Sequence, residues 1–312
     1  MSLLSWVRGR HGANGFGYAS SADEVTRGLT LTGKRVLVTG ANSGLGFETA
    51  RALTSRGATV LVAARSEEKA EATCKKLGES LASGAAAIPV VCELSEPTSA
   101  AACAEQASAS GPIDALILNA GIMALPKREL KHGHELQFLT NHIGHFVLTT
   151  RLLDALTPNA RVVVLSSAAH AWAPPGGIQF DDLSMKQNYT GTLAYGQSKL
   201  ANLLFAKGLA KRFEGTWKTA NAVHPGVIAT NLGRHLPGVL QLLQPVATAI
   251  AMKSIPQGAA TQCYVAVHPD ACDVSGEYFA DCNVARSSAH SRDEALADRL
   301  WDVSEAIAAE LT

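Results

Sequence analysis

Tyr195 and Lys199 stand four positions apart at the head of a strongly helical run, Leu193 to Phe213. Four residues is about one helical turn, so both side chains leave the same face, one above the other. A phenol exchanges protons near neutrality only if its pKa falls well below the free value of about 10. A drop to about 7 takes roughly 4 kcal/mol, and an ammonium about 4 Å away at an effective dielectric of about 20 supplies that order. The pair is therefore expected to be a tyrosine acid–base whose pKa a lysine lowers. Alone the spacing is commonplace on exposed helices, and the surrounding chain has to decide.

Ser166-Ser167-Ala168-Ala169-His170 closes a strand expected at 160–166. A serine at the carboxyl edge of a central strand can hydrogen-bond the oxygen that the tyrosine protonates. Side chains alternate along a strand, so only one serine faces the site. Ser167 is expected there, with Ser166 a buried, satisfied hydroxyl. Asn141 falls inside a helix expected at 134–156, in Leu139-Thr140-Asn141-His142-Ile143-Gly144-His145. Asn and Gly are poor interior helix residues, so a local irregularity is expected, one that could help position a water. His132/His134 and His142/His145 invite a metal reading, but no Cys or acid cluster completes such a site, and no metal is expected.

The elements that must hold these residues alternate. Strands are expected at 34–39, 58–63, 87–91, 113–118, 160–166, 217–223 and 277–280, most of them short, β-branched and nearly continuous in apolar character. That is the mark of strands buried on both faces of a parallel sheet. Helix-length stretches lie between them at 44–56, 66–77, 95–108, 134–156, 193–213 and 258–267. The alternation predicts a single-domain, doubly wound α/β Rossmann fold, a central parallel β-sheet flanked by helices, with its ligand at the carboxyl ends of the strands.

Thr39-Gly40-Ala41-Asn42-Ser43-Gly44-Leu45-Gly46 follows the first strand directly and opens the first helix. Gly40 permits the tight turn, Gly44 lets the backbone approach a pyrophosphate, and Gly46 allows close helix packing, with the helix N-terminus facing the anion. At the end of the second strand an NAD-binding protein usually places an acid for the ribose 2′-hydroxyl. Here the chain reads Ala63-Ala64-Arg65-Ser66, and Arg65 is suited to a 2′-phosphate, which points to NADP(H). Beyond the third strand, Glu93 either accepts from the adenine amino group, beside Leu94, or caps a helix beginning at Ser95. Asn119-Ala120-Gly121 forms a small-residue turn beneath the cofactor. After the sixth strand, His224-Pro225-Gly226-Val227-Ile228-Ala229-Thr230 fixes a turn whose freed backbone groups can hold a carboxamide, while Thr230 caps a helix or contacts a phosphate.

The chain of 312 residues, 47% hydrophobic and 17% charged, is long enough for one large core. Lys+Arg and Asp+Glu both total 27, so no net charge draws it to nucleic acid. The six cysteines form no CxxC pair and fit a reducing compartment, such as the cytoplasm. No apolar run reaches the roughly 20 residues of a membrane span. Residues 1–30 read as an extension, either a frayed or surface-draped tail or a short membrane or targeting contact through Leu3, Leu4 and Trp6. The stretch 231–256 reads as an apolar lid that covers a substrate, docks peripherally on a membrane or packs as core. Asp293 to Leu311, within a terminal segment 291–312, reads as an acidic amphipathic helix with no sign of catalysis.

TGANSGLG at 39–46, NAG at 119–121, Asn141, Ser167, YGQSK at 195–199 and HPG at 224–226 together resemble the short-chain dehydrogenase/reductase superfamily, over residues 33 to about 285. LQFLTNHIGHF, AYGQSKLANLLF, SIPQGAAT and VSGEYF are similar to the retinol-dehydrogenase branch. With the GANGF…SADEVTRG start they most resemble the plant enzymes associated with the plastid inner-envelope translocon. Glu93 stands where the superfamily usually has aspartate. The resemblance implies a catalytic tetrad of Asn141, Ser167, Tyr195 and Lys199 acting on an apolar carbonyl or alcohol, with Lys199 also holding the nicotinamide ribose. It admits a plastid envelope location, a homodimer through helices 134–156 and 193–213, and a second reading, an NADP(H)-binding redox sensor on a membrane complex.

Overall fold

The β-branched runs become the strands of one sheet, and their alternation divides the core. Along β1 (Arg35–Thr39), Leu37 joins a cluster on one face of the sheet while Val36 and Val38 join the cluster on the other. The same split runs through β2 (Thr59–Ala64), β4 (Ile113–Leu118) and β7 (Leu156–Leu165). With β3 (Ala86–Val91), β8 (Thr219–His224), β9 (Tyr278–Ala280) and β10 (Asn283–Val284) they form eight strands in the order 10-9-8-7-4-1-2-3. All neighbours are parallel except the β9–β10 hairpin at one edge. Strand order reverses between β1 and β4, and there the carboxyl ends open a crevice for a ligand. A two-stranded hairpin, β5 (Leu130–Lys131) and β6 (His134–Glu135), stands apart from the sheet.

This computed structural model describes residues 11–228 and 252–312. Leu3, Leu4 and Trp6, Thr230 and most of the expected lid lie outside the described residues. Among those described, no helix is long and apolar enough to cross a membrane.

The helices are, in chain order, α1 (Ala22–Val25), α2 (Gly44–Thr54), α3 (Glu67–Gly78), α4 (Pro97–Ala109), α5 (Leu136–Phe138), α6 (Gly144–Leu152), α7 (Gly191–Arg212), α8 (Ile255–Val267) and α9 (Glu294–Leu311). Two expectations are corrected. The helix after β3 starts at Pro97 with Glu96 as its N-cap, not at Ser95, because Pro97 sits where its missing N–H goes unmissed. Within the described residues, the N-terminal extension is not a frayed tail. Ser21 and Glu24 form a reciprocal capping box around α1, Ala22 and Val25 are buried, and Asp23 pairs with Arg51 on α2 at 2.8 Å. Further out, the Phe16 ring meets Tyr264 and His268 edge-on, and Asn14 donates to the Cys282 carbonyl at 2.7 Å. The segment therefore packs against α2, α8 and the turn between β9 and β10.

Candidate active site

Gly40 and Gly44 both hold positive φ, +64° and +55°, which side chains resist. A Cβ on Gly44 would meet nothing, so the backbone faces open space, whereas a Cβ on Gly46 would run into the Gly40 carbonyl. The three glycines thus leave a tight turn at Gly40, open space over Gly44 and close packing at Gly46. Asn42 and Ser43 are exposed beside them, and the Ser43 side chain makes no capping bond to α2. The first N–H groups of that helix have no intrahelical partner, and they face the same opening as a donor set for an anion. A cavity of about 590 Å³ opens alongside, lined by Asn42, Ser43, Gly44, Phe47, Lys69 and Lys76. These features fit a dinucleotide pyrophosphate. A second cavity, of about 410 Å³, lies between Pro174, Asp181 and Arg299 and touches none of the tetrad.

Asn119 closes the turn's floor. Its Nδ2 donates to the Thr39 carbonyl at 2.9 Å, and its Oδ1 accepts from Gln262 on α8 at 3.3 Å. The Ala120 N–H donates to the Thr39 hydroxyl at 3.0 Å, and Gly121 lies exposed on the cleft. Arg65 is exposed just past β2, with no hydrogen-bonding or ion-pair partner among the described residues. Glu93 turns inward on its own loop. Its Oε1 accepts from the Ser95 N–H at 3.0 Å and hydroxyl at 2.9 Å, which favours the capping alternative, though of a turn rather than of α4. Leu94 is buried, and its carbonyl packs where a Cβ on Gly144 would be. Pro225 and Gly226 follow β8, and Gly226 has φ +90° over the Lys253 side chain. Ile228 bridges in parallel to Lys253, and both it and Leu45 pack on Gly258.

The expected irregularity at Asn141 is a single π turn, Leu139–Ile143, between α5 and α6. Asn141 Oδ1 accepts from the Ile122 N–H at 2.8 Å, and Nδ2 donates to the Ile122 carbonyl at 2.9 Å and to the Ser198 hydroxyl at 2.9 Å. Ser198 in turn donates to the Tyr195 carbonyl at 2.8 Å, which ties the π turn to α7. Gly144 is no helix breaker here, because it is what lets α6 approach Leu94.

Ser166 Oγ is buried and donates to the Lys199 carbonyl at 2.7 Å. Ser167 faces the other way. Its Oγ accepts from the Ala169 N–H at 3.2 Å, and its hydroxyl lies beside the Tyr195 phenol, where it favours the ionised form. His170 braces this corner, donating through Nδ1 to the Ser167 carbonyl at 2.6 Å and accepting through Nε2 from the Ser288 N–H at 3.0 Å. Lys199 is buried, and its Nζ donates to the Leu165 carbonyl at 2.8 Å.

The electrostatics overturn one expectation. Burial pushes Tyr195 up to about 12, Ser167 only partly opposing it, and pulls Lys199 down to about 7. The Lys199 ammonium sits 5.6 Å from the centre of the phenol ring and is anchored to a backbone carbonyl, so it does not offset the loss of water around the phenol. The resting site therefore holds a neutral tyrosine.

Among the described residues no three His, Cys, Asp or Glu side chains gather into a metal site. His142 and His145 are committed elsewhere: His142 Nε2 donates to Ser304 Oγ at 2.7 Å, and His145 Nδ1 donates to the Asn141 carbonyl at 2.9 Å.

Comparison with known proteins agrees with this geometry. Residues 34–180 match the family model described as short chain dehydrogenase. The Brassica napus "Short-chain dehydrogenase TIC 32 A, chloroplastic" is 42% identical, the match covering 97% of this chain and 98% of that one. The chain belongs to the short-chain dehydrogenase family. Mouse retinol dehydrogenase 14 is 41% identical over 88% of this chain and 86% of its own. Among solved structures, an uncharacterized protein from Mycobacterium paratuberculosis superposes with a TM-score of 0.73 at 33% identity, covering 91% of this chain and 97% of that one. A blue fluorescent protein from a metagenomic library, solved in complex with NADPH, reaches 0.64 at 25% identity, covering 80% and 96%. The family membership makes the chain an oxidoreductase.

Ser198 and His170 lie within stretches the sequence singles out, but only the fold brings them against Asn141 and Ser167.

Proposed function

We propose that the chain is an NADP(H)-dependent oxidoreductase that interconverts an apolar aldehyde or ketone and its alcohol. The observation that carries this reading is the Tyr195 phenol beside Ser167 at the carboxyl edge of β7, with Lys199 and Asn141 both close to Gly121 on the cleft floor. NADP(H) is favoured by Arg65, exposed and unpartnered where a 2′-phosphate would lie. Its hydride would come from, or go to, nicotinamide C4. Pro225, Gly226 and Ile228 would hold the carboxamide side.

Ser167 fixes the substrate oxygen, and Tyr195 gives that oxygen a proton during reduction. A phenol kept neutral by burial stands ready as a donor, so reduction is favoured at neutral pH and weakens as the phenol ionises. Oxidation has the opposite sign: the phenol must first lose its proton, and turnover rises towards alkaline pH. Lys199 and the Asn141 turn supply the replacement proton from solvent. Apolarity of the substrate is supported by the composition of 232–255 and by the retinol named in the relative's description.

The test is a panel of apolar aldehydes, ketones and alcohols assayed with NADPH and NADH. Turnover of at least one carbonyl with NADPH preferred is expected, and no nicotinamide oxidation across the panel would refute the assignment.

A further inference from the structure

His145 is fully buried and belongs to neither the substrate face nor the cofactor turn, yet both of its ring nitrogens are bonded. A carbonyl can only accept, so the contact from Nδ1 to the Asn141 carbonyl, 2.9 Å, puts the proton on Nδ1. Nε2 is then an acceptor and takes the Thr39 hydroxyl proton at 2.9 Å. The Thr39 oxygen meanwhile accepts from the Ala120 N–H at 3.0 Å. Burial holds the imidazole neutral, its pKa drawn down to about 4, which keeps this tautomer at working pH.

One ring thus links, through Thr39, three elements: the end of β1, the Asn119–Gly121 turn and the π turn at Asn141. The Asn141 side chain is held separately, by Ile122 and Ser198, so His145 fixes the main-chain carbonyl alone. A carbonyl has two lone pairs. With one taken by His145, the direction of the carbonyl, and so of its second lone pair, is set.

We propose that His145 is a positioning residue of the reaction, orienting the Asn141 carbonyl and locking it to the cofactor floor through Thr39. The proposal rests on the oxidoreductase reading above. A phenylalanine would fill the ring's space as well, so packing alone does not require a histidine here.

Variants separate positioning from packing. His145→Asn keeps a donor near the Nδ1 position, His145→Gln carries its amide out towards Thr39, and His145→Phe keeps only volume. Using a carbonyl that the native enzyme reduces, kcat is expected to fall about 10- to 100-fold in the Phe and Gln variants, the scale of a misplaced catalytic group. It should recover to within about 3-fold in the Asn variant, with NADPH affinity by fluorescence titration moving less than about 3-fold in all three. Equal losses in all three variants that follow their melting temperatures would overturn the proposal, as would native kcat in His145→Phe. Should His145→Phe fail to fold, Thr39→Val carries the test: kcat read at saturating NADPH should fall about 3- to 10-fold, and native kcat refutes it. Tyr195→Phe is run alongside. If that variant turns over normally, the oxidoreductase reading fails as well; if it is dead while His145→Phe is fully active, only this inference is lost.

Discussion

Arg65 is an exposed guanidinium with no partner among the described residues, so its replacement tests cofactor choice without disturbing the fold. Arg65→Ala should lower the ratio of kcat/KM for NADPH to that for NADH by about 10- to 100-fold, the worth of one charge-assisted contact; an unchanged ratio removes Arg65 from the site. His142 and His145 carry a pH signature instead. Burial lowers them to about 3 and about 4, below the 6.5 of an exposed histidine. Between those values and 6.5 the unfolded chain binds protons that the folded chain refuses, so their stabilisation is complete above about pH 6.5 and is lost as pH falls. Denaturant titrations at pH 7 and pH 5 should show a loss of a few kcal/mol. His142→Phe should lessen it, because that ring already lies among Phe138, Phe146 and Phe205 and its Nδ1 has no partner. Equal stability of the native protein at the two pH values would contradict the buried, neutral state.

At the scale of elements, the glycine turn and the π turn do most of the positioning. Gly44→Ala strains a positive φ but meets no atom, so it should cost about 1 kcal/mol of stability while sharply weakening NADPH binding. Gly46→Ala drives a methyl into the Gly40 carbonyl and should damage both. Thermal melts beside NADPH titrations check the contrast, and identical behaviour of the two variants would contradict the division of labour. Much of this was legible, because a strand, three spaced glycines and a helix are local patterns, and because Asn141 and Gly144 announce a helix that is not uniform. Gly144 was legible for the wrong reason. Its cause is the Leu94 carbonyl fifty positions earlier, a contact that no periodicity encodes. The helical stretch places the start of α4 at Ser95, two residues early, because Glu93 and Lys131 take up the Ser95 N–H and hydroxyl in a turn before Pro97 opens the helix.

For the whole molecule, α9 matters more than its lack of chemistry suggests. Trp301 lies 5.0 Å from Phe146 and 5.8 Å from Phe205, under the Arg212 guanidinium, while Leu300 and Ile307 join Leu139, Leu200 and Leu204 in one cluster. The amphipathic pattern of 293–311 was readable, but not where its apolar face would land. It lands on α6 and α7, the faces the family resemblance offered to a second copy. Trp301→Ala should cost about 3–5 kcal/mol in denaturant unfolding, and a loss below about 1 would mean that α9 is not part of the core. The N-terminal segment follows the same logic. Its glycines and arginines look like a tail, while its binding partners, Tyr264 and Cys282, stand some 250 residues away in sequence.

All of these parts converge on one hydroxyl, and the direct test replaces it alone. In Tyr195→Phe, NADPH titration should give an affinity within about 3-fold of the native protein, because the phenol oxygen donates protons rather than builds the turn, and carbonyl reduction should fall by at least about 100-fold. Native turnover with intact NADPH binding would contradict the account at its centre.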